Sequence, residues 1–248
     1  AKGRAIVNLI GCEPDEKVSA FISVKEFNED HYVVMATEKG MVKKTKLSAY
    51  SNPRKKGIYA VEIRDGDKLI EARVSTGDND ILLGTRNGKS IRFSEEQIRA
   101  SGRKTMGVKG ITLSSEDDRL VGMLLIKREG TVLVATEKGF GKRTEISQYR
   151  AQKRGGKGVL TMKTTDKVGK MVTIKEVVDK DDLMIITNQG VLIRLPVAQI
   201  RSIGRATQGV KLIKLGEGTL VSSITRIMSE EEENENNDTG STSGEVLR

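Results

Sequence analysis

Thr37-Glu38-Lys39-Gly40 is the first of four copies of the pattern Thr-x-x-Gly in this chain. The others are Thr85-Arg86-Asn87-Gly88, Thr136-Glu137-Lys138-Gly139 and Thr187-Asn188-Gln189-Gly190. The glycines that end these copies are 48, 51 and 51 residues apart. A second glycine keeps the same period, with spacings of 50, 51 and 51, at Gly57, Gly107, Gly158 and Gly209. Two independent markers with one period indicate a repeat architecture, and repeat architectures usually present an extended binding surface.

Each repeat is predicted to contain four strands. The first is a continuous, β-branched-rich run before Thr-x-x-Gly, which is typical of an inner strand buried on both faces: residues 32–36, 81–83, 131–135 and 183–186. A second strand follows the glycine, so that Thr-x-x-Gly is a hairpin turn: residues 41–44, 89–93, 140–143 and 191–195. The third strand follows the second glycine: residues 58–63, 108–113, 159–164 and 210–215. The fourth recurs at residues 18–24, 69–74, 120–126, 171–177 and 220–227.

Four strands in about fifty residues is the size of a propeller blade, so the sequence predicts an all-β, propeller-like fold of four-stranded blades. Helix-like stretches are confined to a few residues, such as 94–99 and 147–150. Residues 4–9 match the third strand, which gives eighteen strands and about five visible blades. We therefore expect at least one hairpin before Ala1, in a fragment of a longer protein or a ring open at its N-terminus. With 3% aromatic residues and no Trp, the core must be aliphatic.

The charge of the chain is divided between a basic body and an acidic end. Residues 229–248 hold seven acidic residues and one basic residue, whereas residues 1–228 hold 42 basic and 27 acidic residues. We expect residues 1–228 to be one domain with a polyanionic partner, and residues 229–248 to be a disordered tail. The single cysteine, Cys12, excludes an internal disulfide, and no apolar run approaches 18 residues, so we expect a cytoplasmic protein without membrane contact.

The segment before each second glycine is basic and rich in small residues. These four segments, residues 52–57, 99–107, 150–158 and 201–209, are called the basic loops below. Lys and Arg suit a phosphate backbone because binding releases counterions, and glycines let main-chain N–H groups approach phosphate oxygens. The candidate DNA-binding residues in the loops are Arg54, Lys55, Lys56, Arg103, Lys104, Gln152, Lys153, Arg154, Gly155, Gly156, Lys157, Gly158, Arg201 and Arg205. Those near the ends of the second strands are Lys43, Lys44, Arg92, Lys142, Arg143 and Arg194.

The pattern favours duplex DNA, bound through its backbone and its bendability rather than its sequence. Aromatic side chains that would stack on single strands are scarce, and no repeat offers a base-reading helix. A propeller scaffold for an acidic protein partner is the alternative. An enzyme would need clustered acid, base or metal residues, and the sequence predicts no active site, no metal and no cofactor; His31 has no Cys or His companion.

The heptapeptide Gln152-Lys153-Arg154-Gly155-Gly156-Lys157-Gly158 resembles the Gln-Arg-Arg-Gly-Gly-Lys-Gly motif of the C-terminal domain of the DNA gyrase A subunit, with Lys153 in place of one Arg. Residues 3–9, 139–144 and 204–210 also resemble segments of that domain. The resemblance implies a β-pinwheel, usually of six blades with an altered strand order. It also implies that the domain wraps duplex DNA and serves a type IIA topoisomerase that introduces negative supercoils with ATP hydrolysed by the gyrase B subunit. The family's cleavage tyrosine belongs to another domain, and the basic residues needed for wrapping map to Lys153, Arg154 and Lys157.

The position of the heptapeptide departs from the family pattern. The family's principal copy lies in the first blade, whereas the match here lies in the third full repeat of the chain. The copy at residues 152–158 is therefore either the principal wrapping motif or a secondary one. The C-terminal domain of topoisomerase IV, whose heptapeptide is degenerate or absent, is the competing assignment.

Overall fold

The computed structural model describes residues 18–20, 22–54, 57–127 and 129–227, which form fifteen β-strands and four short 3-10 helices. The strands are β1 (Tyr32–Thr37), β2 (Met41–Lys46), β3 (Leu69–Ser75), β4 (Asp80–Thr85), β5 (Lys89–Ser94), β6 (Val108–Lys109), β7 (Leu120–Ile126), β8 (Thr131–Thr136), β9 (Phe140–Glu145), β10 (Val159–Leu160), β11 (Met171–Val177), β12 (Asp182–Thr187), β13 (Leu192–Pro196), β14 (Val210–Lys211) and β15 (Val221–Ile227). The 3-10 helices are Leu47–Tyr50, Glu95–Gln97, Ile146–Gln148 and Val197–Gln199. The predicted strand at residues 4–9 and the predicted tail lie outside the described residues.

The first, second and most of the fourth strands of each repeat are confirmed, but the predicted length of the third strand is wrong. That strand has only two residues in β6, β10 and β14, and residues 58–63 and the described part of 18–24 contain none. The third strand is short because, soon after the second glycine, the chain crosses the turn of the preceding hairpin instead of continuing alongside its second strand. The Gly110 N–H donates to Gly40 O at 2.8 Å, and the Thr161 N–H donates to Gly88 O at 2.8 Å.

The structure divides into two compact units, each of which contains two antiparallel sheets. Of the described residues, those in 18–127 and 149–161 belong to the first unit, which contains sheets of order β3-β1-β2-β6 and β10-β5-β4-β7. Those in 129–148 and 162–227 belong to the second unit, which contains sheets of order β11-β8-β9-β14 and β13-β12-β15. In each four-stranded sheet, one outer strand comes from the following repeat, so the altered strand order that the resemblance implied is confirmed.

The recurring threonine closes each hairpin turn with the same pair of hydrogen bonds. The Gly40 N–H donates to Thr37 O at 3.0 Å, and the Met41 N–H donates to Thr37 Oγ1 at 3.2 Å. The same two bonds occur at the other three turns, with Thr85, Thr136 and Thr187 as acceptors. These threonines are buried, so each of these N–H groups gives the threonine hydroxyl a hydrogen-bond partner inside the protein. The Thr-x-x-Gly period is therefore the period of one hairpin turn.

The second glycine of the repeat lets the chain cross onto the neighbouring sheet. Gly158 has φ +68°, and a Cβ there would lie less than 3.0 Å from Ser90 O on β5. Gly107 and Gly209 make the same approach to carbonyls of Val42 and Gly141. No side chain fits at that distance, and left-handed φ is unstrained only for glycine. The second glycine is therefore needed for the exchange of strands between repeats.

The core of each unit is aliphatic, as the composition predicted. In the first unit, β1, β4 and β7 supply Val34, Ile81, Leu83 and Met123, with Phe93 as the one aromatic ring of this cluster. In the second unit, Leu133, Leu183, Ile185 and Ile224 pack in the same way. The burial pattern of β1 and β8, with five of six residues buried, confirms that the first strand of the hairpin is an inner strand.

Replacing Gly158 by alanine should destabilise the first unit more than replacing Gly57. Both glycines have positive φ, so each alanine meets about 1–2 kcal/mol of left-handed strain. Only at Gly158 would the Cβ also meet a backbone carbonyl, because nothing lies within 4 Å of that position at Gly57. Chemical denaturation should show an additional loss of at least about 1 kcal/mol for Gly158→Ala. Equal losses would contradict the close approach of the two chains.

Candidate nucleic-acid interface

Three basic loops bind to the second strand of the preceding repeat through the same backbone contact. The Ser101 N–H donates to Lys44 O at 2.9 Å, the Gln152 N–H to Arg92 O at 2.8 Å, and the Ile203 N–H to Arg143 O at 2.9 Å. The first two contacts lie within the first unit and the third within the second. Each loop is therefore fixed along the edge of a sheet before any partner binds.

The heptapeptide loop is held by its arginine and its first glycine. The Arg154 N–H donates to Gln97 Oε1 at 2.9 Å, and the Arg154 guanidinium donates to Gln97 O and Lys109 O at 2.9 and 3.0 Å. The Gly155 N–H donates to Gly110 O at 2.7 Å, and Thr112 Oγ1 donates to Gly155 O at 2.7 Å. The N–H groups of Gln152, Arg154 and Gly155 thus have partners inside the unit, which corrects the expectation that they are free for phosphate.

The solvent-exposed charges of the described basic-loop residues come from both lysines and arginines. Lys153 and Lys157 are exposed on either side of the half-buried Arg154. Exposed residues at other predicted positions are Arg54, Lys104, Arg194 and Arg201, whereas Arg92, Arg103, Gln152 and Arg205 are half-buried. Lys55 and Lys56 lie outside the described residues. The loops and the outer strands also expose Arg99, Arg150, Lys109 and Lys211, which were not among the predicted site residues. Lys109 and Lys211 follow their second glycines by two residues, a spacing that could have revealed them.

Comparisons with known proteins match this chain to one family over all four repeats. The family described as "DNA gyrase C-terminal domain, beta-propeller" matches residues 31–76, 79–127, 130–177 and 181–227. The chain belongs to this family. The propeller-like fold predicted from the sequence is thereby confirmed, with four sheets in the described residues.

Relatives and solved structures agree with the family. The DNA gyrase A subunit of Staphylococcus epidermidis is 45% identical over 94% of this chain, and that of Staphylococcus aureus is 44% identical over 98%. The chain spans about a quarter of the length of these relatives, 26% and 28%. A solved DNA gyrase A C-terminal domain has a TM-score of 0.82 at 22% identity, over 92% of this chain and 76% of its own. A topoisomerase IV C-terminal domain has a TM-score of 0.87 at 25% identity, over 96% and 75%.

Four residues of this gyrase-family domain that were predicted to lie on the basic surface are buried. They are Lys43, Lys44, Lys142 and Arg143, with at most 8% of each residue exposed. Each lies near the middle of β2 or β9, where a basic loop from the next repeat covers it. The sequence of one repeat does not reveal this burial, because the loop that covers each side chain lies about sixty residues further along the chain. These four side chains are inside the sheets rather than on a surface that DNA could reach.

The buried cations have partners in the same unit. The Lys44 ammonium lies 3.6 Å from Glu95 Oε1 and 4.9 Å from the centre of the Tyr32 ring. Arg143 pairs with Asp179 and donates to Ile200 O at 2.7 Å. The half-buried Arg92 is similarly paired, with Nη2 2.6 Å from Asp80 Oδ2. The equivalent Arg194 also pairs with an aspartate, Asp182, at 2.5 Å. The fourth residue after the glycine of Thr-x-x-Gly therefore forms an ion pair in all four repeats.

Burial and, to a smaller extent, the nearby Arg103 and Arg205 charges lower the pKa of Lys43 and of Lys142 to about 8. The Lys43 ammonium donates to Ala60 O at 2.8 Å and to Arg103 O. The Lys142 ammonium donates to Gly204 O at 2.7 Å and to Arg205 O. Backbone carbonyls therefore replace the water that each ammonium loses.

The depressed pKa of Lys142 predicts how stability changes with pH. Its pKa is about 8 in the folded chain and about 10.5 in the unfolded chain, so the unfolded chain binds more protons between these values. The Lys142 contribution to the free energy of unfolding should therefore rise as pH increases from about 8 to 10.5. Denaturation of the original chain and of Lys142→Ile at pH 7.5, 8.5 and 9.5 measures it. The free energy of unfolding of the original chain should increase relative to that of Lys142→Ile as the pH rises. A difference that does not change with pH would contradict the lowered pKa of Lys142.

Proposed function

We propose that this chain binds, bends and wraps duplex DNA as the C-terminal domain of a DNA gyrase A subunit. In the complete cytoplasmic enzyme, together with the gyrase B subunit, it would support ATP-dependent negative supercoiling. The chain's own contribution is electrostatic capture of DNA rather than a chemical step. Membership of the family and the four basic loops support this proposal.

The observation that carries the proposal is the exposure of basic side chains on equivalent loops. Arg54, Lys104, Lys153, Lys157 and Arg201 are all exposed, and they come from four different repeats. In a β-propeller, equivalent positions of successive blades recur around the rim. A phosphate backbone that follows such a rim gains counterion release at each loop, without reading the base sequence. Because each loop adds contacts only if the DNA curves to reach it, binding favours bent DNA.

Different residues of the heptapeptide have different roles. Arg154 holds the loop against Gln97 and Lys109, while Lys153 and Lys157 extend into solvent. We therefore assign phosphate contact in this motif to the two lysines. Lys43, Lys44, Lys142 and Arg143 are left out of the contact set because they are buried. The predicted loop residues outside this motif are retained as DNA contacts.

Sequence identity favours gyrase over topoisomerase IV. The gyrase A subunits share 44–45% identity with nearly the whole chain, and the family that matches all four repeats is the DNA gyrase C-terminal domain. A scaffold for an acidic protein is the other alternative. Such a scaffold would show no steep dependence of DNA binding on salt.

Replacing Lys153 or Lys157 by alanine should weaken DNA binding and its dependence on salt. Each lost phosphate contact should reduce the slope of log K against log salt by about 0.9. Fluorescence titration of a labelled duplex between about 50 and 200 mM salt measures both quantities. Lys68 is the matched control, because it is exposed in the same unit but lies outside the basic loops, beside the hairpin turn at Glu38.

The Lys68→Ala variant should keep the slope of the original chain. Equal slopes for all three variants would contradict the assignment of these two lysines. Absence of salt-dependent binding by the original chain would contradict the proposed function itself.

A further inference from the structure

Alternate repeats place a lysine where the others place an isoleucine. Three residues after the glycine of Thr-x-x-Gly, the four repeats have Lys43, Ile91, Lys142 and Ile193. Lys43 and Lys142 are 1% and 0% exposed. Lysine is almost never fully buried unless its ammonium is paired, and isoleucine shows that an apolar side chain can occupy this position. The lysine must therefore do something that the isoleucine does not.

Both lysines contact the basic loop that comes from the following repeat. In the second unit, Lys142 Nζ donates to Gly204 O at 2.7 Å, to Thr207 Oγ1 at 3.0 Å and to Arg205 O. In the first unit, Lys43 Nζ donates to Arg103 O, and to Ala60 O at 2.8 Å. Arg103 and Arg205 occupy equivalent places in their loops, four residues before the second glycine. The same device therefore occurs independently in the two units.

The lysine holds a part of the loop that the sheet does not hold by itself. At the start of the loop in the second unit, the Ile203 N–H donates to Arg143 O at 2.9 Å, and the Arg143 N–H donates to Arg201 O at 3.1 Å. The acceptors of Lys142 lie beyond Ile203, at residues 204–207, where the Arg205 N–H also donates to Gln148 Oε1 at 3.4 Å. Charge-assisted hydrogen bonds to carbonyls are about twice as strong as neutral ones. The ammonium thus fixes the backbone on which Arg205 is carried.

The second repeat shows which contacts hold the loop when isoleucine stands in place of the buried lysine. Its second strand carries Ile91, and the heptapeptide loop on that strand is held from outside by Arg154 and Thr112. A Cβ built at Gly156 would lie 3.5 Å from the Ile91 side chain, so the loop also passes close to the isoleucine. The loop over Ile91 is therefore fixed without an ammonium group from the strand beneath it, whereas the loops over Lys43 and Lys142 have this additional contact.

We propose that Lys43 and Lys142 are positioning residues for DNA binding, which hold the basic loops through their carbonyls and touch no phosphate themselves. The inference rests on the proposed function, because it concerns how that surface is built. Burial separates both ammonium groups from solvent, so neither can reach a bound duplex. Their effect on DNA must pass through Arg103 and Arg205.

A double-mutant cycle tests this coupling in the 248-residue chain. In the original chain, Arg205→Ala should reduce the salt slope by about 0.9, as expected for one phosphate contact. In Lys142→Ile, Arg205 is no longer held, so adding Arg205→Ala should reduce the slope by less than half as much. Arg201→Ala is the matched control in the same loop. Because the backbone of Arg201 is bound to Arg143, its effect should be the same in both backgrounds.

Isoleucine is chosen because Ile91 and Ile193 occupy the equivalent positions, so the variant should fold. Without DNA, amide hydrogen exchange at residues 204–207 should be faster in Lys142→Ile, with exchange in β8 and β9 unchanged. The pair Lys43→Ile and Arg103→Ala repeats the cycle in the first unit.

Additive effects of Lys142→Ile and Arg205→Ala would overturn the inference, and so would unchanged exchange at residues 204–207. No effect of Arg205→Ala in the original chain would overturn it for this loop. In each case the proposed function stands if the original chain binds DNA with a steep salt dependence. Loss of that dependence in the original chain would instead contradict the proposed function.

Discussion

The structure depends on the close approach of the second glycine of one repeat to the backbone of the repeat before it. At Gly107, Gly158 and Gly209 a side chain would occupy space that belongs to a neighbouring strand. This approach brings β6, β10 and β14 onto sheets built by the preceding repeats. It also brings the basic loop with them, because the loop is the segment that leads to the glycine. A repeat therefore cannot bury its own hairpin without the next one, which is the general condition for stability in repeat proteins.

This exchange separates the positive charges into two groups with different physical roles. Where a loop covers a strand, the cation beneath it loses water and is satisfied by carboxylates or carbonyls, as at Lys44 with Glu95 and Lys142 with Gly204. Such cations stabilise the loop and contribute no phosphate contact. The charges on the outside of the same loops, such as Lys104 and Lys153, remain in water and are available for a polyanion. The net positive charge of the chain therefore overstates the charge that a duplex would meet.

Much of the fold could be predicted from the sequence, because its signals are local. The Thr-x-x-Gly turns, the inner strands before them and the aliphatic core follow from short-range patterns, and the structure confirms them. The length of the third strand and the burial of Lys43, Lys44, Lys142 and Arg143 could not be predicted in this way. Both result from a strand that arrives from the following repeat, and a pattern within one repeat does not show what covers it. Arg154 was similarly predicted as a contact residue, although its guanidinium is bound to Gln97 and Lys109.

We propose that loops fixed in this way curve a duplex around the domain. The most direct measurement is the linking number of nicked circular DNA that is sealed by ligase in the presence of increasing amounts of the chain. We expect a shift of the topoisomer distribution that grows with the amount of protein and is lost at high salt. Retardation of the same DNA in a gel without any shift in linking number would show binding without wrapping, and would contradict the account.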